Sequence, residues 1–384
     1  MGVQMMRCGM VGLAGCLIAG LAAGGAGPAA FERLAGVGER AAAQDPDTWN
    51  REAASAYLDA RQAWWMDWPT AARDRGTSCV SCHTTTPYAL ARTALRTGAT
   101  GTMPGAVERR LLENVETRVT AWQAVEPFYS DEQFRPPKTS ESRGTEAILN
   151  ALILANRDAR AGTLSETTRQ AFDNLWALQV PTGDAAGAWP WLNFRLEPWE
   201  TAAAQYYGAA LAAVAVGSAP GGYGSTPGIQ TQVARLRAYL RREADRQNLF
   251  NRLTALWAST LLPGSLDTHQ RQAIIDETWR LQREDGGWSL ASLGTFERSD
   301  GTPLATGSDG YATGLVTYAL QRAGVAPDDA RLVNGLAWLR SHQDPDGSWP
   351  ASSLNKDRDP ASDRGRFMRD VATAYAVLAL AEAK

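Results

Sequence analysis

Apolar residues recur every three to four positions along most of the chain, and they do so in two alternating styles. Spans 87–97, 144–156, 200–216, 251–262, 309–323 and 370–383 are Ala-rich and apolar on nearly every side. Spans 48–66, 105–125, 165–179, 231–247, 269–282 and 327–343 are amphipathic, with an Arg- and Glu-rich face. A helix apolar all round must be covered all round, whereas an amphipathic one can face water. The first set is therefore predicted to be inner and the second outer, and their strict alternation predicts a closed double ring. The connections carry Gly and Pro, and no run alternates as a strand would, so the expected class is all-α without a sheet.

A repeated ending strengthens this reading. Trp279 and Gln282 lead into Asp285-Gly286-Gly287-Trp288, and Trp338 and Gln343 lead at the same spacing into Asp346-Gly347-Ser348-Trp349. A looser copy runs from Trp176 and Gln179 to Gly187-Ala188-Trp189. Glycine suits the left-handed end of a helix, a glutamine amide suits orphan backbone groups, and an indole packs across helix ends. These endings resemble the QW-like repeats of terpenoid cyclases, such as the squalene-hopene cyclases, and of protein prenyltransferases. The resemblance covers most of 31–384 and implies an α/α toroid with a central cavity, about six helices in each ring.

Residues 1–30 begin with Arg7 in an otherwise uncharged run of Gly, Ala, Leu, Val and Ile, the make-up of a secretory signal peptide. Cleavage after Ala29 suits the small residues Gly27 and Ala29. Leu13-Ala14-Gly15-Cys16 offers a lipobox instead, and an uncleaved anchor is the third option. The expected location is outside the cytoplasm, periplasmic, free or held through the N-terminus. The remainder, 31–384, is expected to be a single domain. With 44% hydrophobic and 21% charged residues and a formal charge of −3, there is no basic stripe for nucleic acid.

Beyond the leader only Cys79 and Cys82 remain, in Cys79-Val80-Ser81-Cys82-His83. Two thiols three residues apart followed by His is the arrangement that covalent haem c attachment needs, each thiol adding to a vinyl group and His83 ligating iron. Zinc would need further ligands, and only His269 and His342 remain. Removing 31–141 as a separate cytochrome domain would leave the ring open, so the haem segment, 76–104, is expected within the first helical repeat, at the mouth of the toroid. Loops running from outer to inner helices share one rim, which makes Met66, His342 and Met368 candidates for a sixth ligand. Met368 is preferred because its helix closes the ring beside the first. Met103 would lie a helix length away, on the order of 16 Å.

Trp189, Trp191, Trp199, Trp288 and Trp349 fall in the same loops. Trp191 and Trp199, outside the repeated ending, are the better pocket candidates. The cyclase acid motif of the resembled family is reduced to Asp309 here, and Asp328-Asp329 reads as a helix cap. Two functions follow as expectations. One is a monohaem electron-transfer or redox-sensing protein with a redox partner and an apolar cavity ligand. The other is a haem oxidoreductase, or less readily a cyclase, acting on an isoprenoid or lipid-like substrate.

Overall fold

The computed structural model describes residues 48–96 and 103–383. The leader calls at 1–30, including Cys16, lie outside the described residues, as does 97–102 of the expected haem segment. Residues Gln44–Lys384 form one compact unit. In chain order the helices are α1 (Arg51–Asp67), α2 (Thr85–Leu95), α3 (Ala106–Thr120), α4 (Asp131–Phe134), α5 (Lys138–Ala161), α6 (Glu166–Ala177), α7 (Ala204–Ser218), α8 (Gln230–Glu243), α9 (Leu249–Leu261), α10 (Thr268–Arg280), α11 (Gly310–Arg322), α12 (Ala330–Ser341) and α13 (Phe367–Glu382). Short 3-10 turns punctuate the loops, and among the described residues there is no strand, only two isolated bridges.

The architecture is an α/α toroid. The inner helices α2, α5, α7, α9, α11 and α13 each pack on the next, and α13 packs back on α2, so the ring is closed. The outer helices α1, α3, α6, α8, α10 and α12 cover them. Composition explains the layers: every residue of α7 from Tyr206 to Val216 is buried, whereas α8 buries only Val233, Leu236, Tyr239 and Leu240.

The repeated endings tie the outer ring together. Trp189, Trp288 and Trp349 are fully buried, and their indole N–H groups donate to Leu175 O (2.6 Å), Thr278 O (2.9 Å) and Leu339 O (2.7 Å) at the ends of their own outer helices. Gln282 Nε2 donates to Gly286 O and to Arg331 O of α12. Gln343 Nε2 donates to Gly347 O and to Asn50 O before α1. Gly347, at φ +88°, lies so close to α1 that a Cβ there would sit 2.2 Å from Ala53 C. The glycine therefore serves both the turn and the approach of the next helix.

Two of the boundaries that differ from the sequence expectation bear on the site. Helix α5 starts at Lys138 rather than 144 because the polar residues of its first turns have partners: Thr139 N donates to Asp131 Oδ1, Ser142 Oγ accepts from Tyr129 N, and Lys138 Nζ donates to Asn193 O. Helix α7 starts at Ala204 rather than 200 because Leu196 and Glu200 exchange backbone hydrogen bonds of 3.0 and 2.8 Å, which folds 196–200 into a tight turn.

Candidate functional site

At the rim where the outer-to-inner loops gather lies a cavity of about 320 Å³. Its aromatic wall comes from the end of α1 (Trp65, Trp68), the 190s loop (Trp199) and the first turn of α13 (Phe367). Trp68 stacks on Trp64 at 5.1 Å, and Trp65 donates its indole N–H to Cys79 O at 2.7 Å, which fixes the α1 end against the following loop.

His83 opens onto this cavity between Phe367, stacked at 3.9 Å, and Trp65, edge-on at 4.9 Å. Its Nδ1 is 2.9 Å from Thr84 Oγ1, and Thr84 Oγ1 donates to Asp370 Oδ2 at 2.8 Å. Because that hydroxyl proton is committed to the carboxylate, Nδ1 carries the imidazole proton and Nε2 keeps its lone pair. Burial, helped by the Arg61 charge, lowers the imidazole pKa to about 3.

Two carboxyl groups share the cavity. Glu197 is held by a reciprocal tie, its N–H donating to Asn355 Oδ1 and its carbonyl accepting from Asn355 Nδ2, both at 2.7 Å. Burial raises its carboxyl pKa. Glu200 closes the turn, has no ion pair among the described residues, and is pushed up by burial to about 7, with the Lys138 charge opposing weakly. Near neutral pH such a carboxyl still holds a proton that it can give away.

The expected haem residues are brought together only in part. His83 and Met368 both line the cavity. Cys79 and Cys82 are free and buried behind it, and burial raises both thiol pKa values, that of Cys79 to about 12. On donor type and placement, His83 and Met368 fit a haem, with the thiols supplied by the adjoining loop. Met66 borders a different recess, His342 stacks on Trp338 at 4.0 Å, and Met103 is exposed. Trp199 faces the cavity, but Trp191 does not; its indole N–H donates to Trp199 O at 2.7 Å and supports that wall from behind.

Asp309 caps α11, accepting from the amides of Leu290, Tyr311 and Ala312, and borders a separate recess of about 120 Å³. Its oxygens are taken up by three amides and it lies outside the rim cavity, the place of a helix cap rather than of a cyclase acid. Sequence reading missed Glu197, Glu200, Asn355, Arg73, Arg358 and Arg364. The one available signal was the Trp199-Glu200 pair, which the helical pattern had absorbed into α7.

No family model matches the chain, and no curated protein matches it. Among solved structures it is similar in fold to a glycosidase (14% identity, TM-score 0.49, covering 86% of this chain and 96% of that one). It is similar also to a polysaccharide lyase (13%, TM-score 0.46, 85% and 96%) and to a glycosidase in complex with glucose (14%, TM-score 0.46, 85% and 97%). The expected function is corrected at this point. The similar structures are glycosidases and a lyase rather than cytochromes, and among the described residues no group of three or more His, Cys, Asp or Glu side chains converges to hold a metal ion. Electron transfer, redox sensing and their haem oxidoreductase or cyclase alternatives are therefore withdrawn. What the rim assembles instead is a cavity lined by aromatic rings and two carboxyl groups.

Proposed function

We propose that the chain is a carbohydrate-processing enzyme that binds a glycan at the rim cavity and cleaves a glycosidic bond there. The observation that carries the reading is Glu200, a carboxyl without an ion pair that burial holds near pKa 7 on the wall of an indole-lined cavity. Flat apolar faces of Trp65, Trp68 and Phe367 suit the C–H faces of sugar rings, while polar groups on the opposite wall suit hydroxyls. In hydrolysis, Glu200 transfers its proton to the glycosidic oxygen as the bond to the anomeric carbon breaks. Water adds to that carbon, and its proton passes to the Glu197 carboxylate.

A groove of about 850 Å³ adjoins the cavity and shares Thr70, Arg73 and Tyr129 with it, which gives a chain-like substrate room to extend. Export through residues 1–30 belongs to the proposal, since polymeric glycans lie outside the cytoplasm. The test is release of new reducing ends from a polysaccharide panel by the parent protein and by Glu200→Gln. General-acid catalysis by Glu200 predicts a loss of about 100- to 10,000-fold in the variant. Equal rates in the two proteins would remove Glu200 from the mechanism.

Covalent haem c at Cys79 and Cys82 with His83 is a second proposal, about a cofactor and not an activity. It is favoured by the shared position of His83 and Met368. A porphyrin would fill the space assigned to the glycan, so the two occupants exclude each other. The intact mass of the exported protein separates them: thiols free of adduct leave the cavity to a glycan, and a haem adduct overturns the glycan reading.

A further inference from the structure

Three guanidinium groups border the rim cavity without a carboxylate partner among the described residues: Arg73, Arg358 and Arg364. Two of them are held in place by local contacts. Arg73 gives one nitrogen to Thr70 O and Ala72 O and lies 5.2 Å over the Tyr129 ring, and its Nε is buried with no partner. Arg364 lies 5.6 Å over the Trp68 ring. Of the acids nearest in sequence, Asp357 pairs with Arg298, Asp363 pairs with Arg61, and Asp359 accepts from the Ala361 amide.

We infer that the glycan is acidic, carrying carboxylate groups as uronic acid residues do, and that Arg73, Arg358 and Arg364 select it. This inference rests on the glycan reading above. A planar fork of N–H donors matches a carboxylate in geometry as well as charge, and a cavity with apolar walls strengthens that attraction relative to open water. The carboxyl groups inside the cavity offset only part of the positive charge, because Glu200 keeps its proton up to about neutral pH and leaves the Glu197 carboxylate alone against three guanidinium groups. The adjoining groove has the opposite character, with Glu126, Glu132 and Asp74 on its walls. The acidic sugar therefore belongs in the inner cavity, beside the bond that is cut, and the groove takes uncharged units of the chain.

The experiment is calorimetric binding to the full exported chain carrying Glu200→Gln, which prevents turnover. The probes are oligomers of polygalacturonate, alginate and hyaluronan, each as the free acid and as its methyl ester, which removes the charge and adds one methyl group per carboxyl. The expected result is at least one free acid bound about tenfold or more tighter than its ester. That advantage should shrink as salt is raised and vanish in a variant that adds Arg358→Ala and Arg364→Ala, two surface changes whose folding is checked by thermal melting. An ester bound as tightly as its acid, or an advantage untouched by the arginine changes, overturns the inference while leaving the glycan reading in place. Failure of every acid and every ester to bind, where the parent protein also cuts no neutral glycan, overturns both.

Discussion

Thr84 and Asp370 meet at 2.8 Å across the junction of the first and last inner helices, and this contact joins ring closure to the candidate site. Asp370 also accepts from Tyr57 OH at 2.9 Å and from Arg61 Nε at 2.8 Å, so one buried carboxylate serves α1, the loop before α2, and α13. Burial raises its pKa, and the Arg61 charge and the three hydrogen bonds oppose that rise.

Breaking the buried ion pair leaves the Arg61 guanidinium only the half-exposed Asp363 as a partner, which costs up to about 3–5 kcal/mol. Asp370→Asn should therefore unfold at markedly lower urea concentration. Thr84→Val removes the hydroxyl's bonds to Asp370 and to His83 Nδ1 but leaves Asp370 its two other partners, for about 1–3 kcal/mol. Equal midpoints for Asp370→Asn and the parent protein would show that the network carries no stability.

Closure of the outer ring makes a sharper prediction, because two glycines of the same conformation differ in surroundings. Gly347 and Gly301 have φ of +88° and +73°, but a Cβ at Gly301 meets nothing within 4 Å, whereas one at Gly347 runs into the Ala53 backbone. Gly301→Ala should cost about 1–2 kcal/mol for the left-handed conformation alone. Gly347→Ala must in addition push α12 and α1 apart, and its loss should be clearly larger. Chemical denaturation of the two variants side by side measures the difference.

The toroid was legible in the sequence for a physical reason: inner helices must be apolar all round, and that pattern survives in the primary structure as Ala-rich runs such as 204–216. The repeated Gln, Gly and Trp were legible too, since each answers a local need at a helix end. Polar residues with distant partners left no such trace. The start of α5 was hidden because Thr139 and Ser142 look like loop residues until Asp131 and the Tyr129 amide are found beside them. Glu200 was absorbed into a helix because periodicity cannot register the Leu196–Glu200 turn, and Asn355 and Glu197 meet across 158 positions of sequence. The Cys79–His83 motif was the most visible local signal, and it drew the functional reading toward haem. The acids and arginines of the same cavity are scattered through three loops.

The aromatic wall is tested at Trp68, which is only half-buried and whose main contacts are rings. Trp68→Ala should leave the fold intact and weaken glycan binding by about 0.5–1.5 kcal/mol, roughly two- to tenfold. Trp68→Phe should recover part of the loss. Calorimetric titration with the best-bound glycan reads both, and unchanged affinity in Trp68→Ala would move the binding face away from α1.

The pH dependence follows from Glu200. Its pKa is raised from 4.5 to about 7 in the folded chain, so between those values the folded state holds a proton that the unfolded state has released. The stabilising contribution is full below about pH 4.5 and is lost as pH rises through about 7. The melting temperature of the parent protein should therefore fall from pH 5 to pH 8 by more than that of Glu200→Gln, whose amide does not titrate. Asp309, raised to about 6, contributes a similar fall in both proteins and cancels in the comparison. Activity should follow the same proton, with kcat/KM declining above about pH 7 as the acid form disappears. Parallel melting curves for the two proteins across this range would mean that Glu200 is ionised at neutral pH and has no proton to give.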